Sequence, residues 1–114
     1  MMEPEKVWFT LGYIAGADLV KRRFVTAKGT YPDADGDLVR GVNVFDVQTG
    51  QSGTLNLKGV LWVVSGSAIA LNAEITTDTE GRAIALPDTG TPAVLGEALN
   101  AVTGPGQIVA ILTR

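Results

Sequence analysis

The sequence predicts a mainly β protein: a small compact β-barrel or sandwich-like domain built from two similar halves, with at most one or two short helical turns. Three observations predict it. Fourteen glycines are spread along 114 residues rather than gathered into one linker. The segments between them are rich in Val, Ile, Leu and Thr, the composition of short strands closed by tight turns. Short residue patterns also recur about fifty positions apart, the mark of an internal duplication.

The elements follow in chain order. Glu3-Pro4-Glu5-Lys6 is polar and broken by proline, whereas Val7-Trp8-Phe9-Thr10 is bulky and β-prone, so residues 1–13 read as an N-terminal arm or a first strand. Phe24-Val25-Thr26-Ala27 reads as a strand ending in the turn Lys28-Gly29. Residues 39–47 alternate, with Val42, Val44 and Val47 on a half-buried strand interrupted by a bulge or bend. Thr54-Leu55-Asn56-Leu57 alternates cleanly and is expected to run on past Lys58-Gly59 into the apolar stretch Val60-Leu61-Trp62-Val63-Val64. Residues 92–99 hold good helix formers, but Gly96 and the short length allow only a turn or two of helix, or another strand. Gln107-Ile108-Val109-Ala110-Ile111-Leu112 is the closing strand.

Ile14-Ala15-Gly16-Ala17-Asp18-Leu19 aligns with Val64-Ser65-Gly66-Ser67-Ala68-Ile69 at an offset of 50, and Val25-Thr26 with Ile75-Thr76 at the same offset. Gly41 and Val47 match Gly96 and Val102 at 55, and Gly50-Gln51 matches Gly106-Gln107 one residue later. The expected organisation is therefore residues 1–13 followed by one β-rich domain, 14–114, with approximate repeats at 14–57 and 64–112. Neither half covers its apolar face alone, so the two are expected to pack on each other.

Composition limits the function. By the surface scaling of folded chains, a chain of 114 residues buries roughly 65% of its extended surface, enough for one modest core. Net charge is −3, and the only basic cluster, Lys21-Arg22-Arg23, reads as a solvated face, so nucleic acid is not an expected partner. The longest apolar run, residues 59–64, is too short to cross a bilayer, and no basic-then-apolar leader opens the chain, so no membrane partner is expected either. Cysteine and histidine are both absent. Thiolate chemistry and the usual zinc ligands and nucleophile-base pairs go with them, and no cofactor is expected.

Several short motifs invite chemistry. Asp33-Ala34-Asp35-Gly36-Asp37 places three carboxylates two residues apart, but its glycine comes too early for an EF-hand and no Glu closes the loop, which leaves a turn at Asp35-Gly36. Asp78-Thr79-Glu80-Gly81 occupies the equivalent turn of the second half. Gly104-Pro105-Gly106 lacks the Lys-Ser/Thr and the helix of a phosphate-binding loop. Ser65 and Ser67 flank Gly66, yet without histidine only Lys58 or Lys21 remain as a base, so no catalytic residue is assigned.

The order of residues 64–83, followed by Val94-Leu95-Gly96-Glu97-Ala98-Leu99 and the closing strand, resembles the C-terminal half of the small head-decoration proteins of tailed bacteriophages, the cement proteins of capsids. Residues 14–57 are similar to them more loosely. The resemblance rests on glycine and apolar spacing. It implies a structural, non-catalytic virion protein, made in the host bacterial cytoplasm and carried on the outer capsid surface. There it would act commonly as a homotrimer, bind the mature head and cement neighbouring copies of the major capsid protein. In that reading Val7, Trp8, Phe9 and Thr10 form a capsid-binding strand that pairs with an exposed capsid edge and inserts Trp8 or Phe9 as an anchor. The same residues also suit a first strand of the domain, with residues 1–6 frayed. Two further functions stay open. One is a carbohydrate or small-ligand binding β module using Trp8, Trp62, Tyr13 or Tyr31 as stacking platforms. The other is an enzyme using carboxylates such as Asp33, Asp35 or Asp78.

Overall fold

The computed structural model describes residues 3–87 and 90–114. Eight strands make up its regular structure, and there is no helix among the described residues: β1 (Lys6–Ile14), β2 (Phe24–Val25), β3 (Gly41–Asn43), β4 (Ser52–Val64), β5 (Glu74–Thr77), β6 (Ala83–Ala85), β7 (Gly96–Ala98) and β8 (Ile108–Thr113). The helical turn allowed for residues 92–99 is instead β7, because Gly96 takes a ladder position against Thr113, where an added Cβ would run into the Leu112 carbonyl. The strand expected over residues 39–47 shrinks to β3. Beyond Asn43 the chain leaves the ladder to form a bridge between Val47 and Leu19.

All strand pairings are antiparallel, in the order β2-β3-β4-β8-β7-β5-β6, with β1 on β4 outside that path. The sheet curls into a nearly closed barrel. Its two ends approach where the Phe24 N–H donates to the Gly81 carbonyl at 2.6 Å, in the turn between β5 and β6.

β4 organises this arrangement. Along its 13 residues, Leu55, Gly59, Leu61 and Val63 are buried on one face, as period-two alternation requires. Its first part pairs with β1 on one edge and β3 on the other, and its last five residues pair with β8. Val60 is opposite both Lys6 and Leu112, which places β1 and β8 on opposite edges of β4.

Two similar halves are visible in the register itself. Thr10↔Asn56 through Ile14↔Ser52 in the β1–β4 ladder is repeated by Val60↔Leu112 through Val64↔Ile108 in the β4–β8 ladder. Phe24↔Val42 and Val25↔Gly41 recur as Glu74↔Glu97 and Ile75↔Gly96, and Val42↔Asn56 and Asn43↔Leu55 recur as Glu97↔Leu112 and Ala98↔Ile111. The isolated bridge Leu19↔Val47 reappears as Ile69↔Val102. The two non-glycine residues with left-handed backbone, Arg22 (φ 66°) and Asn72 (φ 68°), are also fifty positions apart.

The core follows the duplication. Phe24, Val42, Leu61, Val63, Ile75 and Ile111 belong to the larger apolar cluster, and Ala15, Leu19, Val25, Val47 and Leu55 to a smaller one. Burying each such aliphatic side chain is worth roughly 1.5–3 kcal/mol against leaving it exposed. The buried polar groups include Asn43, whose Oδ1 accepts the Tyr13 hydroxyl at 2.7 Å and whose amide donates to the carbonyls of Val20 and Phe45.

Gly59 marks the place where β1 and β4 slip. The β1–β4 register shifts between Val7 and Phe9 and again between Phe9 and Thr10. Gly59 lies opposite with φ 125°, and a Cβ there would overlap the Lys6 carbonyl oxygen. Replacing it with alanine combines an unfavourable backbone angle with a clash. Gly59→Ala is expected to lower the unfolding free energy by about 2–3 kcal/mol, read as a reduced urea midpoint at unchanged denaturant slope.

Candidate functional site

β1 is the least covered strand in the molecule. Eight of its nine residues are exposed, and only Tyr13 is half-buried. Trp8 and Phe9 retain 58% and 62% of their surface, far more than large aromatics in a strand that merely completes a sheet. The four residues singled out from the sequence, Val7, Trp8, Phe9 and Thr10, therefore lie together on one exposed strand. β1 pairs with β4 alone, so its other edge carries no ladder.

Beside β1 runs an apolar groove of about 520 Å³. Phe9 and Leu11 of β1, Leu57 and Leu61 of β4, and Leu38 and Leu95 are among the residues that line it. Leu38 is 80% exposed, an unusual state for leucine. The charged residues lining the groove are Arg40, Lys58 and Arg114, with no carboxylate among them. Arg114 is paired with Glu74 at 2.6 Å and with Glu97 at 3.7 Å, Lys58 Nζ donates to the Arg114 main-chain oxygen, and Arg40 has no ion-pair partner among the described residues.

Residues 3–5, just before β1, are fastened down rather than frayed, while residues 1 and 2 of the expected frayed stretch lie outside the described residues. The Glu5 carboxylate receives both Arg22 Nη1 (2.7 and 2.8 Å) and the Trp62 backbone N–H (3.1 Å). The Trp62 indole N–H donates to the Glu3 carbonyl at 2.9 Å, and the Arg22 guanidinium lies 5.5 Å from the centre of the Trp62 ring. Arg22 is thus half of a clasp, not part of a freely solvated basic face. Its neighbour Arg23 stacks on Tyr31 at 5.9 Å. Sequence reasoning missed this clasp, since nothing in local spacing links Glu5, Arg22 and Trp62. The left-handed backbone at Arg22, which aims its carbonyl at the Val64 N–H, has no local signature either.

The other candidates are occupied by structural work. In the acidic turn, Asp37 Oδ2 accepts the N–H groups of Asp33 and Ala34, a turn-closing arrangement. Asp78 accepts the N–H groups of Glu80 and Arg82 and pairs with Arg82 Nε at 2.9 Å. Among the described residues no three acidic groups converge as a metal site would need. The Ser65 hydroxyl donates to the Gly104 carbonyl and accepts the Gln107 N–H, while Ser67 bonds the Ala68 carbonyl. Of the four aromatic platforms, Trp62 is held in the clasp, the Tyr31 hydroxyl accepts the Val20 N–H and Tyr13 is bonded to Asn43. Burial, reinforced by nearby Tyr31, raises the Tyr13 pKa and keeps its hydroxyl a donor. Trp8 alone among the four stands uncommitted.

A family model described as phage cement protein matches residues 6–113. No curated protein matches the chain. Among solved structures, the crystal structure of the head fiber gp8.5 N base in bacteriophage phi29 is similar over 93% of both chains, with a TM-score of 0.75 and 23% sequence identity, a likeness of fold.

The clasp makes a measurable claim. Arg22→Met is expected to lower stability by about 1 kcal/mol, the scale of a partly exposed ion pair with good geometry. The same change should leave the barrel folded by circular dichroism while accelerating tryptic cleavage after Lys6 and hydrogen exchange at Trp62.

Proposed function

The chain belongs to the phage cement protein family, and from that premise we propose that it binds the outer surface of a mature phage head and bridges neighbouring major capsid subunits. A structural role in the phage capsid, and a place in the virion, go with the family. The finer reading is that the protein is made in the host cytoplasm, docks as a homotrimer, carries no cofactor and acts by adhesion without catalysing a reaction. The observation that carries it is the exposure of β1. Val7, Trp8, Phe9 and Thr10 present two uncommitted aromatic rings on a strand with an unpaired edge, held in place from behind by the Glu5–Arg22–Trp62 clasp. Aromatic side chains that are rigidly placed before contact lose little freedom on docking and supply most of the energy of an interface. Many such contacts on one shell add through multivalency, so each need not be strong.

Co-sedimentation with expanded heads tests the reading. Wild-type protein should pellet with heads and not with free capsid subunits. The double variant W8A/F9A should keep its thermal unfolding temperature and bind on the order of tenfold more weakly or worse. A folded wild-type protein that stays in the supernatant would remove the proposed role.

A further inference from the structure

We propose that the apolar groove where the two halves meet is a binding site for a single-chain amphiphile, an alkyl tail that ends in an anionic head, such as a long-chain carboxylate. The inference concerns a small ligand and does not rest on the cementing role proposed above.

The groove lies at a gap in the sheet. β3 pairs with β4 at Leu55 and Asn56, and β8 joins the same edge of β4 only from Val60 onward. Residues 57–59 carry no ladder on that edge. There the Thr113 hydroxyl accepts the Gly59 N–H at 2.9 Å and donates to the Gly59 carbonyl at 3.2 Å. Equivalent segments of the two halves line the gap. Leu38, Val39 and Arg40 correspond to Ala93, Val94 and Leu95 at the offset of 55 that relates Gly41 to Gly96. Leu57 and Lys58 correspond to Thr113 and Arg114 by the matching ladders that relate Asn56 to Leu112. Phe24, Val42 and Leu61 also line the groove although none is more than 2% exposed, so it reaches down to the main core. Leu38 lines it at 80% exposure, so it is also open to water.

Size, lining and charge select the ligand. At about 520 Å³ the groove falls within the roughly 300–1,000 Å³ typical of small-molecule sites. Its deep end is built from aliphatic and aromatic side chains. The Gly59 main-chain groups beside it are already satisfied by Thr113, so a tail without donors or acceptors leaves nothing unpaired there. Every charged residue lining the groove is a cation. Arg114 is held by Glu74 and Glu97, and Lys58 Nζ is held by the Arg114 main-chain oxygen. The Arg40 guanidinium is the cation left to meet a ligand. Arg40 is exposed and follows Leu38 and Val39, so a charged head stays at the wet end while the tail runs toward Phe24 and Leu61. An anionic head is favoured in that position over a cationic one.

Titration calorimetry on the full chain tests the site with decanoate, dodecanoate and dodecyltrimethylammonium, each below its micelle concentration. Dodecanoate is expected to bind about tenfold more tightly than decanoate, because two more methylenes are buried, and about tenfold more tightly than the cation with the same tail. Arg40→Glu should reverse the preference between the two head groups. Leu38→Asp, at an exposed lining position, should weaken dodecanoate about tenfold with an unchanged circular dichroism spectrum. Carbon-edited NMR should show dodecanoate shifting the methyl signals of Val42 and Leu61 while those of Val25 and Leu55, in the smaller apolar cluster, stay in place. Equal affinity for the two head groups, no gain with tail length, no binding, or unmoved Val42 and Leu61 methyls would overturn the inference. So would loss of the folded spectrum on loading, since the ligand would then be meeting unfolded chain. Binding to phosphatidylglycerol vesicles with none to monomeric dodecanoate would overturn it in favour of a lipid surface. An oligomer that Leu38→Asp dissociates in light scattering would assign the groove to a second copy instead.

Discussion

One strand carries both halves of this molecule. β4 holds ladders to β1, β3 and β8, and its residues end the first copy of the pairing scheme and begin the second. Because side chains alternate along a strand, a slip of one residue would turn Leu61 and Val63 out of the core and bring Val60 and Trp62 into it. Such a slip would break three ladders together. The bulged crossing at Gly59 holds the register, since no other residue accommodates both the backbone angle and the closeness of Lys6. Stability and shape therefore both trace back to residues 52–64, the stretch that also looks most anomalous as sequence.

Most of the fold was legible because it depends on local alternation and on glycine spacing. The long central strand, the closing strand and the matching of Leu19 with Ile69 and of Val47 with Val102 are visible in residue patterns, and the structure places these residues in equivalent bridges. At residues 92–99 the helix formers pointed to a helical turn while Gly96 spoke against one and left a strand open, and the nearness of the Leu112 carbonyl explains why glycine stands there. The site was half legible. Bulky residues at 7–10 announced a strand, but whether that strand is covered depends on partners far away in sequence. The groove is assembled from six distant segments, and the cations that line it, Arg40, Lys58 and Arg114, look like ordinary surface charges when read singly. The clasp was illegible for the same reason: it joins positions 5, 22 and 62.

The polar groups are spent largely on structure. Hydroxyls and carboxylates mostly close turns, cap backbone N–H groups or join short ion pairs, as at Asp37, Asp78 and Ser65. Of the large apolar side chains exposed among the described residues, Val7, Trp8, Phe9, Leu11 and Ile14 are concentrated on β1, with Val20, Leu38, Phe45 and Leu71 elsewhere. The first half of the duplicated body thus leaves open, at β1, an edge whose counterpart in the second half is covered.

A polypeptide holding the same strand scheme twice must also keep its copies from trading places while it folds. The Tyr13–Asn43 pair is suited to that task. Tyr13 corresponds to Val63 in the other copy and Asn43 to Ala98, so the polar contact exists on one side only. If β1 docked against β8 in place of the end of β4, the phenol would be buried next to a methyl group with its hydrogen bond lost. Asn43 would meanwhile face valine, its amide oxygen unsatisfied. That mismatch penalises the exchanged topology more than it strengthens the correct one, and it lets two near-identical substructures grow from a single chain without confusion.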